Sequence, residues 1–297
     1  MSTLRQTGFT LVEMVISIAL MGVLALAAVP LLRLPMASWV DASRRAELMQ
    51  SMDSAHLALA DDFSRALPNS VRINQIGPRV LVEMLEVRAS GRHRDGNTGA
   101  AQVCPVACTT AAASDRLEAA CSETCFTSMG AVDGIAPVPG DWVVVNPLGP
   151  GVPGGDPYFG GNATVAGGIK SQLVDVQTVT DGQRLRVAAH AFPSLAASRR
   201  FYVVSTPVTW DCDPGQQSLT RRWGYPVAST QPVAFGAGVA ASPAATGVVA
   251  CSARYQAAGL SGRAGVLTMT VRLARNAGSA GSEPIELVIA LPVGEVP

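Results

Sequence analysis

The sequence predicts an α+β protein, a long N-terminal helix packed on a C-terminal antiparallel β-rich domain. An almost uncharged apolar run fills residues 9–32, and an apolar stripe at three-to-four spacing follows as far as residue 67. From residue 70 onward, short β-favouring runs alternate with turn residues. Few helical patterns separate those runs, which argues against βαβ units and for antiparallel pairing. A length of 297 residues suits one large domain or two small ones. The chain is 48% hydrophobic and only 15% charged, below the roughly 25% charge of ordinary soluble domains. Lys plus Arg is 22 and Asp plus Glu is 22, a formal net charge of zero. That balance excludes nucleic acid as the principal partner, because gripping phosphates needs clustered positive charge. It also excludes a disordered charged tail.

The first element is the run FTLVEMVISIALMGVLALAAVPLL, residues 9–32, whose sole charge is Glu13. As a helix it rises about 36 Å, enough for a bilayer core of about 30 Å. Arg5 is the one charge ahead of it, so the positive-inside rule places residues 1–8 in the cytoplasm and the remainder outside. A carboxylate inside a membrane helix costs about 2.5–3.5 kcal/mol and marks a partner. A cleavable secretory signal with Ala25-Leu26-Ala27 as its site is the competing reading. It would put Glu13 in the apolar region and leave Gly8 without a role.

The heptapeptide Gly8-Phe9-Thr10-Leu11-Val12-Glu13-Met14 resembles the class III signal of type IV prepilins and type II secretion pseudopilins. The resemblance implies that a prepilin peptidase cuts between Gly8 and Phe9 and methylates the new Phe9 amine. Methylation keeps the amine's charge. It further implies that Glu13 pairs with the N-terminal amine of a neighbouring subunit in an apolar filament core. Gly22 and Pro30 also fall where such proteins often carry a Gly and a helix-breaking Pro.

The second element is an amphipathic helix over residues 33–67, with Ser38 as a candidate N-cap. Leu48, Met52, Leu59, Phe63 and Leu67, with Ala55 and Ala66, form its core-facing stripe. Arg44, Arg45, Glu47, Asp53, Asp61, Asp62 and Arg65 lie mostly off it. Pro68 stops the helix. Pro30 and Pro35 each lack a backbone donor, which predicts a bend or melted stretch between the two helical parts.

Strands are predicted at residues 71–76, 79–87, 142–145, 173–179, 184–189, 201–206, 266–273 and 285–291. Residues 134–168 are rich in Gly and Pro and read as loop outside 142–145. Residues 237–247 read as an Ala/Gly-rich loop.

Residues 65–72, 200–212, 222–225 and 291–297 are similar to MshO-type minor pilins of the mannose-sensitive haemagglutinin pilus system. The resemblance implies a pilin-like fold with a leader at 1–8, a transmembrane and filament-core helix at 9–32, an amphipathic helix at 33–67 and a periplasmic β-rich domain at 68–297. It implies a minor pilin that primes or caps pilus assembly. The partners implied are the prepilin peptidase, other major and minor pilins, the inner-membrane assembly platform and, before assembly, membrane lipid. The expected location is the inner membrane, single pass with the C-terminal domain periplasmic, and the extracellular pilus after assembly. A J-type pseudopilin of type II secretion and a tip adhesin on a pilin stem are the alternatives.

Six cysteines, Cys104, Cys108, Cys121, Cys125, Cys212 and Cys251, include a C-x3-C, twelve-residue, C-x3-C arrangement over residues 104–125. Four thiolates can close a zinc site, but a periplasmic setting favours disulfides. Nested bridges Cys108–Cys121 and Cys104–Cys125 would suit two antiparallel helical turns, since i and i+4 share a face. Cys212–Cys251 would then pair. Six cysteines allow 15 connectivities, so the pairing stays open.

Catalytic signatures are weak. His56, His93 and His190 are widely separated, and none has a metal-ligand neighbour at the required spacing. Residues 149–154 match G-x-G-x-x-G, yet Pro150, Pro153 and Pro157 preclude the helix that a dinucleotide loop must open. Residues 168–171 lack phosphate-loop spacing. Asp211-x-Asp213-x-Gly215 reads as a turn, Asn162-Ala163-Thr164 is a sequon by pattern alone, and the pairs Arg199-Arg200 and Arg221-Arg222 read as solvated faces. The expectation is a non-enzymatic protein without metal or cofactor.

Overall fold

The computed structural model describes residues 10–94, 116–161, 167–180, 182–257, 264–274 and 284–294. The predicted leader, Gly8, Phe9, Cys104, Cys108 and the sequon at 162–164 lie outside them. Two compact units divide the chain, Met1–Gln50 and Ser51–Pro297. Helix α1 (Leu11–Ser64) is followed in chain order by β1 (Arg72–Ile76), β2 (Arg79–Arg92), β3 (Ser122–Thr127), β4 (Asp133–Gly134), β5 (Trp142–Val145), β6 (Lys170–Val179) and β7 (Gly182–Ala191). Then come β8 (Arg200–Asp213), β9 (Ser218–Trp223), β10 (Ala240–Thr246), β11 (Val248–Gln256), β12 (Gly265–Leu273) and β13 (Ile285–Val293). Helix followed by antiparallel β structure is the architecture the sequence predicts.

Helix α1 starts where Thr10 caps it and remains helical through Pro30, Pro35 and Ser38. The predicted melted stretch at the two prolines is absent from the backbone, and Ser38 is an interior residue, not an N-cap. The helix ends at Ser64, three residues before the predicted Leu67. The reason is a change of partner. Arg65 and Ala66 close tight bonds to Asp62 O and Phe63 O at 3.1 and 3.3 Å, and Leu67 N then turns to Leu85 O at 2.8 Å. Val87 N answers with a bond to Arg65 O at 2.9 Å. Strand β2 captures the chain before Pro68 is reached.

Strand β8 organises the larger, ten-stranded sheet, whose main path runs β1-β2-β8-β5-β6-β7-β3. One edge of β8 pairs along its length with β2, through two register shifts near Val87, as bulges in long twisted strands allow. The other edge is shared. Phe201–Val204 pair with β5, and Val208–Asp213 pair with β9, which carries β10. Strands β11-β12-β13 form a separate antiparallel sheet.

In the Ser51–Pro297 unit, Met52, Ala55, Leu59 and Phe63 are buried on one face of α1, as their spacing predicts. A void of about 10 Å³ is lined by Met52, Ala55 and Leu59 together with Leu219 of β9, Val271 of β12 and Ile289 of β13. Farther along, the larger sheet is covered on both faces. Phe201 and Val203 join Phe126, Val143 and Phe192 in one core cluster, while Tyr202 and Val204 join Leu67, Leu85 and Ile169 in another. Alternation along β8 therefore feeds two cores, which is why its burial is nearly continuous.

Five strands depart from the sequence reading. The short β4 was read as the start of the Gly/Pro-rich loop, and β9 as a basic pair in solvent. Strand β10, Ala-Ala-Ser-Pro-Ala-Ala-Thr, forms where an Ala/Gly loop is predicted, held by its ladder with β9. Strand β11 has polar residues on one face and gains its place by pairing with β12. Strand β3 lies where helical turns are expected around Cys121 and Cys125. The Gly/Pro-rich stretch 146–161 holds no strand, and a Cβ on Gly161 (φ 79°) would strike the Lys170 carbonyl oxygen. Only glycine fits that approach.

Candidate functional site

The N-terminal end of α1 presents the polar group singled out by the sequence. Thr10 is the N-cap: the Glu13 amide donates to Thr10 Oγ1 at 3.3 Å and to Thr10 O at 3.1 Å. The spacing Thr10-x-x-Glu13 is that of a capping box. Glu13 sits in the first turn, where the amide dipoles favour a negative charge by about 0.3–1 kcal/mol. Its side chain is exposed. Ser17 Oγ donates to the Glu13 carbonyl at 2.7 Å, a local bond that consumes a hydroxyl on an otherwise apolar stretch.

Around Glu13 the surface is apolar. Leu11 is 81% exposed and Met21 71%, and Val12, Val15, Ile18 and Leu24 are exposed as well. Among the described residues, no helix is long and apolar enough to cross a membrane.

The cysteines divide by location. Cys212 of β8 and Cys251 of β11 form a disulfide, with Cα atoms 6.2 Å apart and a sequence separation of 39. It staples the larger sheet to the three-stranded one. Cys121 and Cys125 are buried and also disulfide-bonded. They flank a run of β3 in which Ser122 and Thr124 are exposed while Glu123 is buried. The backbone here is the strand β3, which begins one residue after Cys121, and not the helical turns expected around these two cysteines. Among the described residues no group of three or more His, Cys, Asp or Glu is placed to hold a metal.

Several buried charges escape the sequence reading. Asp62, assigned to the solvated side of the helix, is buried. It accepts two bonds from Arg221, at 2.6 and 2.8 Å, and one from Trp210 Nε1 at 2.9 Å. A bidentate charged pair of this kind fixes direction as well as distance, and it ties α1 to β8 and β9. Glu83 in β2 is fully buried beside Arg72, whose Nη2 donates to Glu83 Oε1 at 2.8 Å. Burial raises the Glu83 carboxyl above its ordinary value, against the pull of Arg72. The Arg72 guanidinium lies 3.7 Å from the centre of the Tyr158 ring, and the Tyr158 hydroxyl donates to Ser70 O at 2.8 Å.

Asp211 accepts both arms of Arg79 at 2.8 Å and Arg222 Nε at 2.9 Å. Burial opposes its charge, yet the hydrogen bonds and charges of Arg79 and Arg222 together outweigh burial and hold the carboxyl low. These residues line an open pocket of about 310 Å³ with Asp213 and Phe235. Two arginines face two aspartates there, so no surplus charge is left to attract an ion.

Lys170, the first residue of β6, is 2% exposed and its Nζ has no hydrogen-bond partner. The amine lies 5.5 Å from the Trp142 ring centre. Burial lowers its pKa to about 8, with Asp156 opposing the fall and Arg72 adding to it. Arg72, Arg79 and Glu83 lie inside predicted β-favouring runs, which is the one signal the sequence offered, whereas Asp62, Lys170 and Asp211 lie outside every predicted strand.

A family model described as the prokaryotic N-terminal methylation motif matches residues 3–29. The motif supports a type IV prepilin-like protein, of the pilin or pseudopilin kind, and implies processing by a prepilin peptidase and assembly with other pilins. It also suggests membrane anchoring and export. No curated protein and no solved structure matches the chain.

Proposed function

We propose that the chain is a minor pilin, a non-enzymatic subunit that primes or caps a type IV pilus of the mannose-sensitive haemagglutinin kind. The observation that carries this reading is the methylation motif over residues 3–29, with an exposed carboxylate, Glu13, three residues into the helix it opens. Prepilin peptidase cleaves between Gly8 and Phe9 and the Phe9 amine is methylated. Residues 9–32 anchor the subunit in the inner membrane, with the β-rich domain periplasmic, until they pack against other pilin helices. There Glu13 meets a neighbour's Phe9 amine. The similarities at residues 65–72, 200–212, 222–225 and 291–297 support the choice of pilus system.

N-terminal sequencing of the mature protein tests the reading. A methylated Phe9 is expected; a start at Met1 or Ala28 overturns it. Deleting the gene abolishes piliation, whereas normal pili with lost secretion would make the chain a J-type pseudopilin instead. A tip adhesin would need an exposed aromatic cluster in the outer domain, for which Trp142, Trp210, Trp223 and Tyr225 are the candidates. Trp210 and Tyr225 are buried, and Trp142 and Trp223 are half-buried beside Lys170 and Arg221.

A further inference from the structure

Trp39 is 77% exposed on α1, an uncommon state for a side chain that is on average highly buried. Trp210 is fully buried, and Trp142 and Trp223 are half-buried in the β-rich unit. Trp39 also stands at a boundary in the sequence. Before it lie the apolar run of residues 9–32, in which the described side chains are nearly all exposed, and the segment 33–38 with a single charge, Arg33; after it come Asp41, Arg44, Arg45 and Glu47 within about two turns. An indole combines an apolar body with one N–H donor, so it is stable where hydrocarbon gives way to headgroups.

Helix length fixes where that boundary falls. Thr10, the cap at the polar end, and Trp39 belong to one continuous helix within the Met1–Gln50 unit. They are separated by about 43 Å along the axis. That matches the about 40–45 Å thickness of a bilayer with both headgroup zones. With Thr10 and Glu13 at the cytoplasmic headgroups, Trp39 therefore reaches the opposite headgroup zone. Helical rotation of about 100° per residue also puts Trp39 on the face of Met14, Met21 and Ala28, all of them exposed.

We propose that Trp39 is a lipid-contact residue, seated in the outer headgroup zone of the membrane before assembly, which fixes the depth of the anchoring helix. This rests on the membrane-anchored reading above. Its occupant is the lipid interface rather than a second copy of the chain, because the spacing from Thr10 to Trp39 matches a bilayer thickness.

The full chain is reconstituted into phosphatidylcholine–phosphatidylglycerol vesicles whose acyl chains are brominated either near the headgroup or near the chain middle. Tryptophan fluorescence is compared with that of the Trp39→Phe variant, a mild change at an exposed site. The expected result is quenching that is stronger with the shallow label and lost in Trp39→Phe, the other three tryptophans serving as an unquenched background. Vesicle-bound protein with quenching unchanged by the substitution, with no quenching, or with stronger quenching from the mid-chain label overturns the proposal. A Trp39 shielded by another copy falls under the second of these outcomes. Failure to associate with vesicles at all overturns the anchored reading itself and this proposal with it.

Discussion

Lys170→Met replaces a buried, unpartnered ammonium with an apolar side chain of similar reach. The fall of the Lys170 pKa from 10.5 to about 8 means that charging the amine in the folded state costs about 3 kcal/mol more than in the unfolded chain. Some of the benefit of neutralising it is forfeited with the attraction to the Trp142 ring, worth about 0.5–1 kcal/mol. The variant is therefore expected to be about 2 kcal/mol more stable at pH 7.

The pH dependence has a definite sign. Below about pH 8 the amine is charged in both states and its full cost is present. Between about 8 and 10.5 the folded protein sheds the proton while the unfolded chain retains it, so wild-type stability rises with pH. Lys170→Met has nothing to titrate there and lacks that rise. Urea unfolding of the full chain in detergent, followed by fluorescence from pH 7 to 10.5, measures both effects as the difference between the two proteins, which cancels tyrosine titration. A variant less stable than wild type at pH 7, or one showing the same rise, would refute the reasoning.

Two further predictions concern the β-rich domain. Replacing Cys212 and Cys251 by serine removes a crosslink with a sequence separation of 39, and loop-closure entropy puts the loss at about 4 kcal/mol; the check is urea unfolding against wild type, both without reductant. Asp211, held low by Arg79 and Arg222, contributes stability that is present above the ordinary aspartate value of about 3.9 and lost as pH falls through its folded value. Asp211→Asn should therefore be less stable at pH 7, with the difference from wild type shrinking in acid unfolding curves.

What the sequence revealed depended on whether a residue's partner was encoded nearby. Leu59 and Phe63 were legible because a helix face repeats every three to four residues, so each announces the next. Strands β2, β8 and β12 were legible through their β-favouring runs, in which valine recurs beside leucine, methionine or aromatic residues. Strand β10 was not, since Ala-Ala-Ser-Pro-Ala-Ala-Thr has no such preference and becomes a strand only against β9. Asp62 looked solvated because the residue that neutralises it, Arg221, is 159 positions away. Glu83 hid for a different reason: β2 is buried on both faces from Val80 to Leu85, so no alternation marked which side chains face solvent. At the N-terminal site, Thr10 and Glu13 were legible as a motif, whereas the cap they form became visible only with the helix in place.

That cap bears on what Glu13 does. As a residue in the first helical turn it gains about 0.3–1 kcal/mol from the helix dipole, while carrying its carboxylate from the headgroups into an apolar filament core costs about 2.5–3.5 kcal/mol, as in hydrocarbon. Capping alone leaves a deficit of about 2 kcal/mol, which a neighbour's Phe9 ammonium would offset. The two contributions separate by mutation. Glu13→Gln keeps a side chain able to close a capping box but cannot form an ion pair; Thr10→Ala removes the hydroxyl cap at about 1 kcal/mol and leaves the carboxylate. If pairing is the function, Glu13→Gln is cleaved normally yet lost from assembled filaments, while Thr10→Ala is incorporated close to wild-type levels, as read by immunoblotting of sheared pili. Equal losses from both variants would make Glu13 a helix cap and nothing more.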